Sequence, residues 1–249
     1  ALINLKIPDT GARYVSQKAN PIELIKDFAV CFKTLWHDRL GQISLAVTTL
    51  FWGAGATLQF IVIKWAQVAL NMNLSQGAIL QAISAVGVAG GAVWAAARVP
   101  LRKSLNVLPY GVAMGLVVCV MAVYHSDMLP DTTIMTLGNI QVSLNLLPAY
   151  FLLVVVGWLA GYFVVPMNAL LQHRGHVLMS AGHSIAVQNF NENISVLMML
   201  AIYSLLIWFD IPIPYVIIGF GLAVSCIMWL VIKRHARNQA EFDSMHLIG

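Results

Sequence analysis

Charge is scarce in this chain. Of 249 residues only 10% are Asp, Glu, Lys or Arg while 59% are hydrophobic. An ordinary soluble domain carries about 25% charged residues, so that class is excluded and a polytopic helical membrane protein is indicated. Cysteine is almost missing too. Cys31, Cys119 and Cys226 sit in apolar sequence without CxxC or Cys/His spacing, so neither a disulfide framework nor a metal site is indicated. No nucleotide-binding motif occurs, the Gly175-to-Gly182 turn lacks a phosphate-cradling pattern, and no cofactor is expected. No Ser or His has partners at hydrolase spacing, so an enzyme is not expected. No signal peptide is expected before the first apolar span. The formal charge of +4 would suit nucleic acid, but the placement of the charges argues against such a partner. The first residue is Ala rather than Met, and Ala1–Pro8 reads like the end of an earlier apolar helix, so a longer protein is expected.

Against this background Ala186-Val187-Gln188-Asn189-Phe190-Asn191-Glu192-Asn193 is conspicuous. It sets five amide or carboxylate side chains inside an apolar segment that runs on to Trp208. Counted from Ala181 at ~1.5 Å per residue, Glu192 lies roughly 16 Å deep, near the middle of a ~30 Å hydrocarbon core. A carboxylate there costs several kcal/mol unless it faces protein, water or a partner. Gln188, Asn189, Glu192, Asn193 and Ser195 share one helical arc. The stripe reads either as the wall of a wet cavity or substrate path, or as interhelical hydrogen bonding.

In chain order, residues 8–20 read as a polar linker. Asn20-Pro21-x-Glu23 then carries the cap, first-turn proline and N3 acid of a helix start. Ile22, Ile25, Phe28, Ala29, Phe32, Leu35 and Trp36 form one apolar stripe, opposite Glu23, Lys26, Asp27, Lys33, Thr34 and Asp38. This amphipathic helix is expected on the membrane surface or against the bundle. Six spans follow near 43–69, 76–97, 105–125, 148–171, 181–209 and 212–232. Three units result: 1–42 as the end of a preceding helix, a cytoplasmic linker and the surface helix; 43–234 as a six-helix transmembrane domain; and 235–249 as a cytoplasmic tail. Of the fourteen Lys and Arg, all but Lys64 fall in one set of loops. The opposite loops, near 70–75, 126–147 and 210–212, hold Asp127, Asp131 and Asp210 and no Lys or Arg. The positive-inside rule makes both ends cytoplasmic.

Gly87/Gly91, Gly111/Gly115 and Gly157/Gly161 suggest close helix contacts. Pro166 should kink the fourth span. Trp65, Tyr124, Tyr150, Trp208 and Tyr215 suit an outer aromatic belt. Phe51-Trp52-Gly53-Ala54-Gly55 is echoed by Gly157-Trp158-Leu159-Ala160-Gly161 three spans later, which fits a three-plus-three inverted repeat.

Lys64 near the outer interface either snorkels beside Trp65 or contacts a phosphate. Gln59 shares a helical side with Trp52 and Thr48, as cavity lining or helix contact. Asn168 follows Pro166 and is expected to satisfy the kink or to touch substrate. His173, His176 and His183 with Arg174 read as an inner loop facing solvent or headgroups. Arg98-x-x-x-Arg102-Lys103 marks topology or binds anionic lipid.

Three runs carry a family resemblance. They are Gly161-Tyr162-Phe163-Val164-Val165-Pro166-Met167-Asn168-Ala169-Leu170-Leu171-Gln172-x-Arg174-Gly175; Ser180-Ala181-Gly182-x-x-Ile185-Ala186-Val187-Gln188-Asn189-x-x-Glu192-Asn193; and Leu50-Phe51-Trp52-Gly53-Ala54-Gly55-x-Thr57-Leu58. Together they resemble the C-terminal half of bacterial lysophospholipid transporters of the major facilitator superfamily. The resemblance implies an all-α fold, with this chain the last six of twelve spans plus the central linker. It implies flipping of lysophospholipids such as lysophosphatidylethanolamine across the bacterial inner membrane without ATP hydrolysis, and a functional link to an acyltransferase that re-acylates them. The implied partners are the lysophospholipid, membrane lipids and a missing N-terminal six-helix half. Gln188, Asn189, Glu192 and Asn193 would line the cavity, with Trp52 and Gln59 opposite and Lys64 and Asn168 as further contacts. A basic residue expected at position 59 is absent, while Lys64 supplies one about a turn later. Glu192 would hold a substrate ammonium or carry a coupling proton. The rivals are an exporter of drugs or other amphiphiles on the same fold, a membrane-embedded acyltransferase, and a non-transporting scaffold.

Overall fold

The computed structural model describes residues 20–137 and 140–242. The apolar helix end expected at 1–8, the linker up to residue 19 and the last part of the tail, 243–249, lie outside the described residues. At Asn20 the side chain accepts a hydrogen bond from the Ile22 N–H at 3.1 Å and starts α1, Pro21–His37. Asp38 then ends α1 and caps α2, Arg39–Ala69, its Oδ2 accepting from the Gly41 N–H at 2.7 Å. A capping box of Asn73 and Gln76 opens α3, Leu74–Arg98. A 3₁₀ stretch, Leu101–Val107, leads into α4, Leu108–Met121. After a short antiparallel hairpin, β1 Thr133–Leu137 and β2 Ile140–Ser143, come α5, Leu147–Leu178, α6, Ala181–Trp208, and α7, Ile213–Glu241. The six segments α2 to α7, with the 3₁₀ stretch counted into the third, are long and apolar enough to cross a membrane.

The span count therefore agrees with the sequence, and several boundaries do not. The fourth span does not stop at 171: α5 continues to Leu178, so His173, Arg174 and His176 are helical rather than an inner loop. The reason is Arg174. It is not headgroup-facing but buried, giving Nε to Asp38 Oδ2 at 3.0 Å and a terminal nitrogen to Asp38 Oδ1 at 2.6 Å. A charge satisfied by a bidentate partner need not leave the bundle. Likewise α7 runs beyond residue 232, so the expected tail begins as helix. Its end is held by Arg39, which donates to the Asn238 carbonyl at 3.1 Å while Asn238 Nδ2 donates to the Arg39 carbonyl at 3.3 Å. Trp65 is no belt residue: at 1% exposure it is packed into the core with Ile61, Val62 and Ala66. Trp208 and Tyr215 are exposed, as a belt requires. The hairpin within 126–147 is an element that the sequence reading did not foresee.

The packing follows an inverted repeat that relates α2, α3 and α4 to α5, α6 and α7. The longest seam joins α3 to α5, and its counterpart under the repeat joins α6 to α2. Contacts of α4 with α5 are likewise matched by contacts of α7 with α2, and α4 packs on α7 across the repeat axis. An additional echo lies in the helix starts, Leu108-Pro109-Tyr110 in α4 and Ile213-Pro214-Tyr215 in α7. Each places proline in the first turn, where the missing N–H is harmless.

At the α3–α5 seam all four glycines of the two predicted pairs interlock. A Cβ on Gly87 would meet the Val154 carbonyl and one on Gly91 the Trp158 carbonyl; from the other side Gly157 faces the Ser84 carbonyl and Gly161 the Val88 carbonyl. Backbone thus lies directly on backbone, the close approach that small residues permit in a membrane. Between α4 and α7, Gly115 meets Gly221 and Ser225, whose Oγ donates to the Val112 carbonyl at 3.0 Å, and Gly111 meets Met228. α1 docks against α2, α5 and α6. Leu35 is fully buried with Leu45, Leu171 and Val187, while Phe28 and Phe32 pack edge-on against Phe190 of α6. Ile22 and Ile25, the start of the same stripe, remain exposed.

Candidate functional site

Three of the predicted polar residues meet. Gln188 Nε2 lies 2.7 Å from Glu192 Oε1, one turn on along α6, and 3.1 Å from Asn168 Oδ1 on α5. Asn168 Oδ1 thus accepts from the neighbouring helix. The helical spacing of 188 and 192 aligns the two side chains, and the arc brings them onto the edge that faces α5. All three are half-buried. A carboxylate held by one amide keeps further lone pairs for a cationic group.

The other predicted residues stand apart from this cluster. Asn189 and Asn193 are exposed on α6, Asn193 Nδ2 donating to the Asn189 carbonyl at 2.7 Å. Trp52 is 48% exposed and packs edge-on against Phe51, which packs in the same way on Phe163. Gln59 is exposed, and its backbone carbonyl accepts from Gln81 of α3 at 2.7 Å. Lys64 is exposed near the end of α2, whereas Thr48, on the Trp52 side, is buried.

The uncovered faces are as informative as the contacts. In the most apolar window of each helix, 6% of α6 and 22% of α3 is buried against 56% of α5. Since α3 and α6 are repeat counterparts, the two bare faces are related by the repeat.

A second feature escaped the sequence reading. Between α2, α6 and α7 the side chains leave a cavity of about 710 Å³, lined by Leu50, Ile61, Ile194, Met198, Ile202 and Phe220 among others. The predicted site residues are not among its walls; Asn191 and Ser195 are. Asn191 is a residue the sequence marked only as part of the polar run. Its Nδ2 donates to the Val187 carbonyl at 2.8 Å and its Oδ1 accepts from the Trp36 indole at 3.3 Å, which ties α1 to the cavity wall.

Against known proteins the chain is 38% identical, over 237 residues, to proteins named lysophospholipid transporter LplT from Shigella boydii serotype 4 (strain Sb227), from Escherichia coli O1:K1 / APEC and from Escherichia coli O9:H4 (strain HS). This chain is a partial, C-terminal-half match to lysophospholipid transporters. The alignment takes in 93% of the chain and 55% of each relative, so the chain spans about half the length of the curated relatives that it matches. No family model matches the sequence, and no solved structure matches it.

Proposed function

We propose that this chain is the C-terminal six-helix half of a transporter that moves lysophospholipids, lysophosphatidylethanolamine among them, from the outer to the inner leaflet of the bacterial inner membrane without ATP hydrolysis. The observation that carries the reading is the 38% identity across 93% of the chain to proteins of that name. The Gln188–Glu192–Asn168 cluster supports it, since it offers an anionic, amide-ringed contact suited to an ammonium headgroup. Asn189, Asn193, Trp52, Gln59 and Lys64 extend the substrate path from exposed positions. The bare faces of α3 and α6 suit the second six-helix half, with which this half would rock around the substrate path. Both ends of the chain lie in the cytoplasm, where an acyltransferase consumes the delivered lysolipid. No catalytic step is assigned to the chain itself.

Reconstitution of the intact protein tests the reading. Proteoliposomes should move labelled lysophosphatidylethanolamine between leaflets, and protein-free vesicles should not. Equal rates in both would reject the transport reading. Topology is checked separately with an impermeant thiol reagent added outside cells. A cysteine at Asp131 should react and one at Lys103 should not; the reverse pattern would invert the orientation.

A further inference from the structure

The cavity between α2, α6 and α7 has a shape and lining that the polar cluster does not explain. Its walls run on α6 from Asn191 to Leu206, which at ~1.5 Å per residue is roughly 22 Å. That exceeds the ~15 Å of one leaflet's share of the hydrocarbon core. The space is long enough and apolar enough along α6 to take an extended hydrocarbon chain.

The chemistry of the walls narrows it further. Ile61, Ile194, Met198, Ile202, Leu206 and Phe220 make the body of the cavity apolar. Thr57 Oγ1 donates to the Gly53 carbonyl at 3.0 Å and Asn191 Nδ2 to the Val187 carbonyl, which leaves the Thr49 hydroxyl as a buried wall group without a hydrogen-bond partner among the described residues. Tyr203 and Tyr215 stand towards the end joined by the α6–α7 connection, Tyr215 being 68% exposed. An apolar shaft with phenols at its mouth matches a hydrocarbon tail beneath a polar headgroup. The repeat counterpart of this space is filled from within. There Tyr110 of α4 packs on Tyr162, which stacks on Trp158, with centroids 4.7 Å and 5.0 Å apart. Among the described residues Tyr215, the counterpart of Tyr110, has no such stacking partner, and Gly219 on the α7 wall faces open space.

We propose that the α2–α6–α7 cavity seats the single acyl chain of the lysophospholipid, with its headgroup at the Tyr203–Tyr215 mouth. This rests on the transport reading above and adds to it a second subsite, apart from the Gln188–Glu192 cluster. On the proposed topology the mouth opens to the outer leaflet, so the cavity takes the chain on arrival.

Gly219 supplies the test, since a side chain there enters the cavity without striking a neighbour. The intact protein in lipid nanodiscs is photolabelled with lysophosphatidylethanolamine carrying a diazirine midway along its acyl chain. Label is expected on Ile194, Met198 and Ile202 of α6 and on Phe220 and Ala223 of α7. Gly219→Leu should cut labelling about fifteenfold, since each methylene displaced from an apolar site is worth roughly fourfold in affinity and two would be lost. Ala223→Leu, from the same wall, should do the same and covers the case in which Gly219→Leu does not fold. Label on helices other than α2, α6 and α7, or label unchanged in a folded variant, would each overturn the proposal. Flux of lysophosphatidylethanolamine is measured on the same samples. Flux without cavity labelling rejects the acyl-chain seat alone; cavity labelling without flux rejects the transport reading alone.

Discussion

The α3–α5 seam and the α2–α6 crossing are counterparts under one repeat, yet they are packed to opposite ends. Four glycines bring α3 and α5 backbone to backbone, and Tyr110, Tyr162 and Trp158 fill the space behind them. At the α2–α6 crossing a single glycine, Gly53, faces the partner helix, meeting Ser195 Oγ, Met199 Sδ and the Ser195 carbonyl, and behind it lies the 710 Å³ cavity. Lipid tails give helices no hydrophobic reason to associate, so close backbone approach is what secures a seam in a bilayer. The tight side can act as the frame. The loose side can admit a guest and let α6 shift. One sequence element, the number of glycines facing the partner helix, decides which is which.

The largest break is expected where the two sides are joined. Asp38 at the start of α2 and Arg174 on α5 form a salt bridge with side-chain exposures of only 12% and 5%. Arg174→Met should cost about 3–5 kcal/mol, because it strands a buried carboxylate. Asp38→Leu combined with Arg174→Met should recover part of the loss, although the α2 cap goes with Asp38. Unfolding in detergent by heat or denaturant reads both. A single variant as stable as the wild type would show that the two sides are held together elsewhere.

Next comes the seam itself. Gly91→Leu drives a side chain into the Trp158 carbonyl and should cost about 3 kcal/mol through overpacking. Gly219→Ala, on the loose side, should leave stability unchanged or raise it by up to ~1 kcal/mol, since glycine inside a helix is unfavourable and nothing lies in the way. If the two variants shift the melting temperature equally, the contrast between the sides fails.

A smaller effect is expected at α1, which braces the loose side through Phe28, Phe32 and Trp36. Phe32→Asp should release the helix at a cost of ~2 kcal/mol, the value of one buried aromatic side chain. Cys31 on the same helix reports the release. Burial first, and the Asp27 carboxylate second, push its thiol above the usual value, so little thiolate is present at neutral pH. Maleimide labelling of Cys31 should be slow in the wild type and faster in Phe32→Asp, as long as α1 leaves the bundle. Equal labelling rates in the two proteins would show that α1 stays seated.

The six spans, the amphipathic helix and its cap were legible in the sequence, because apolar run length and the Asn20-Pro21-x-Glu23 signature act locally. The glycine pairs were legible as contacts, though not which faced which: that depends on the repeat, and the five-residue echo was too short to set it. The Leu108-Pro109-Tyr110 and Ile213-Pro214-Tyr215 starts carried the same signal and were overlooked. Arg174 misled because a lone arginine near a span end ordinarily marks a loop, and its partner Asp38 lies 136 positions earlier. Within the site, Gln188 and Glu192 were readable from their i, i+4 spacing. The α2–α6–α7 cavity was not, since a packing defect has no residue type of its own.

The smallest effect on stability, and the most telling on function, is expected at Glu192. Gln188 lies within hydrogen-bond distance of Glu192 and of Asn168, and Glu192→Gln keeps an oxygen at the position that the Gln188 amide addresses. Folding should therefore change by less than about 1 kcal/mol. Gln188→Leu, by contrast, leaves two polar partners unmatched and should cost about 1–3 kcal/mol. With folding preserved, flux reads the charge alone. Should Glu192 hold the substrate ammonium, Glu192→Gln slows lysophosphatidylethanolamine more than lysophosphatidylglycerol, which has no amine. Should it carry a coupling proton, both substrates lose their pH dependence together. Unchanged flux of both lipids at every pH would reduce the cluster to a helix contact. Recognition would then rest on the loose side, where the cavity selects a chain and no charge is needed.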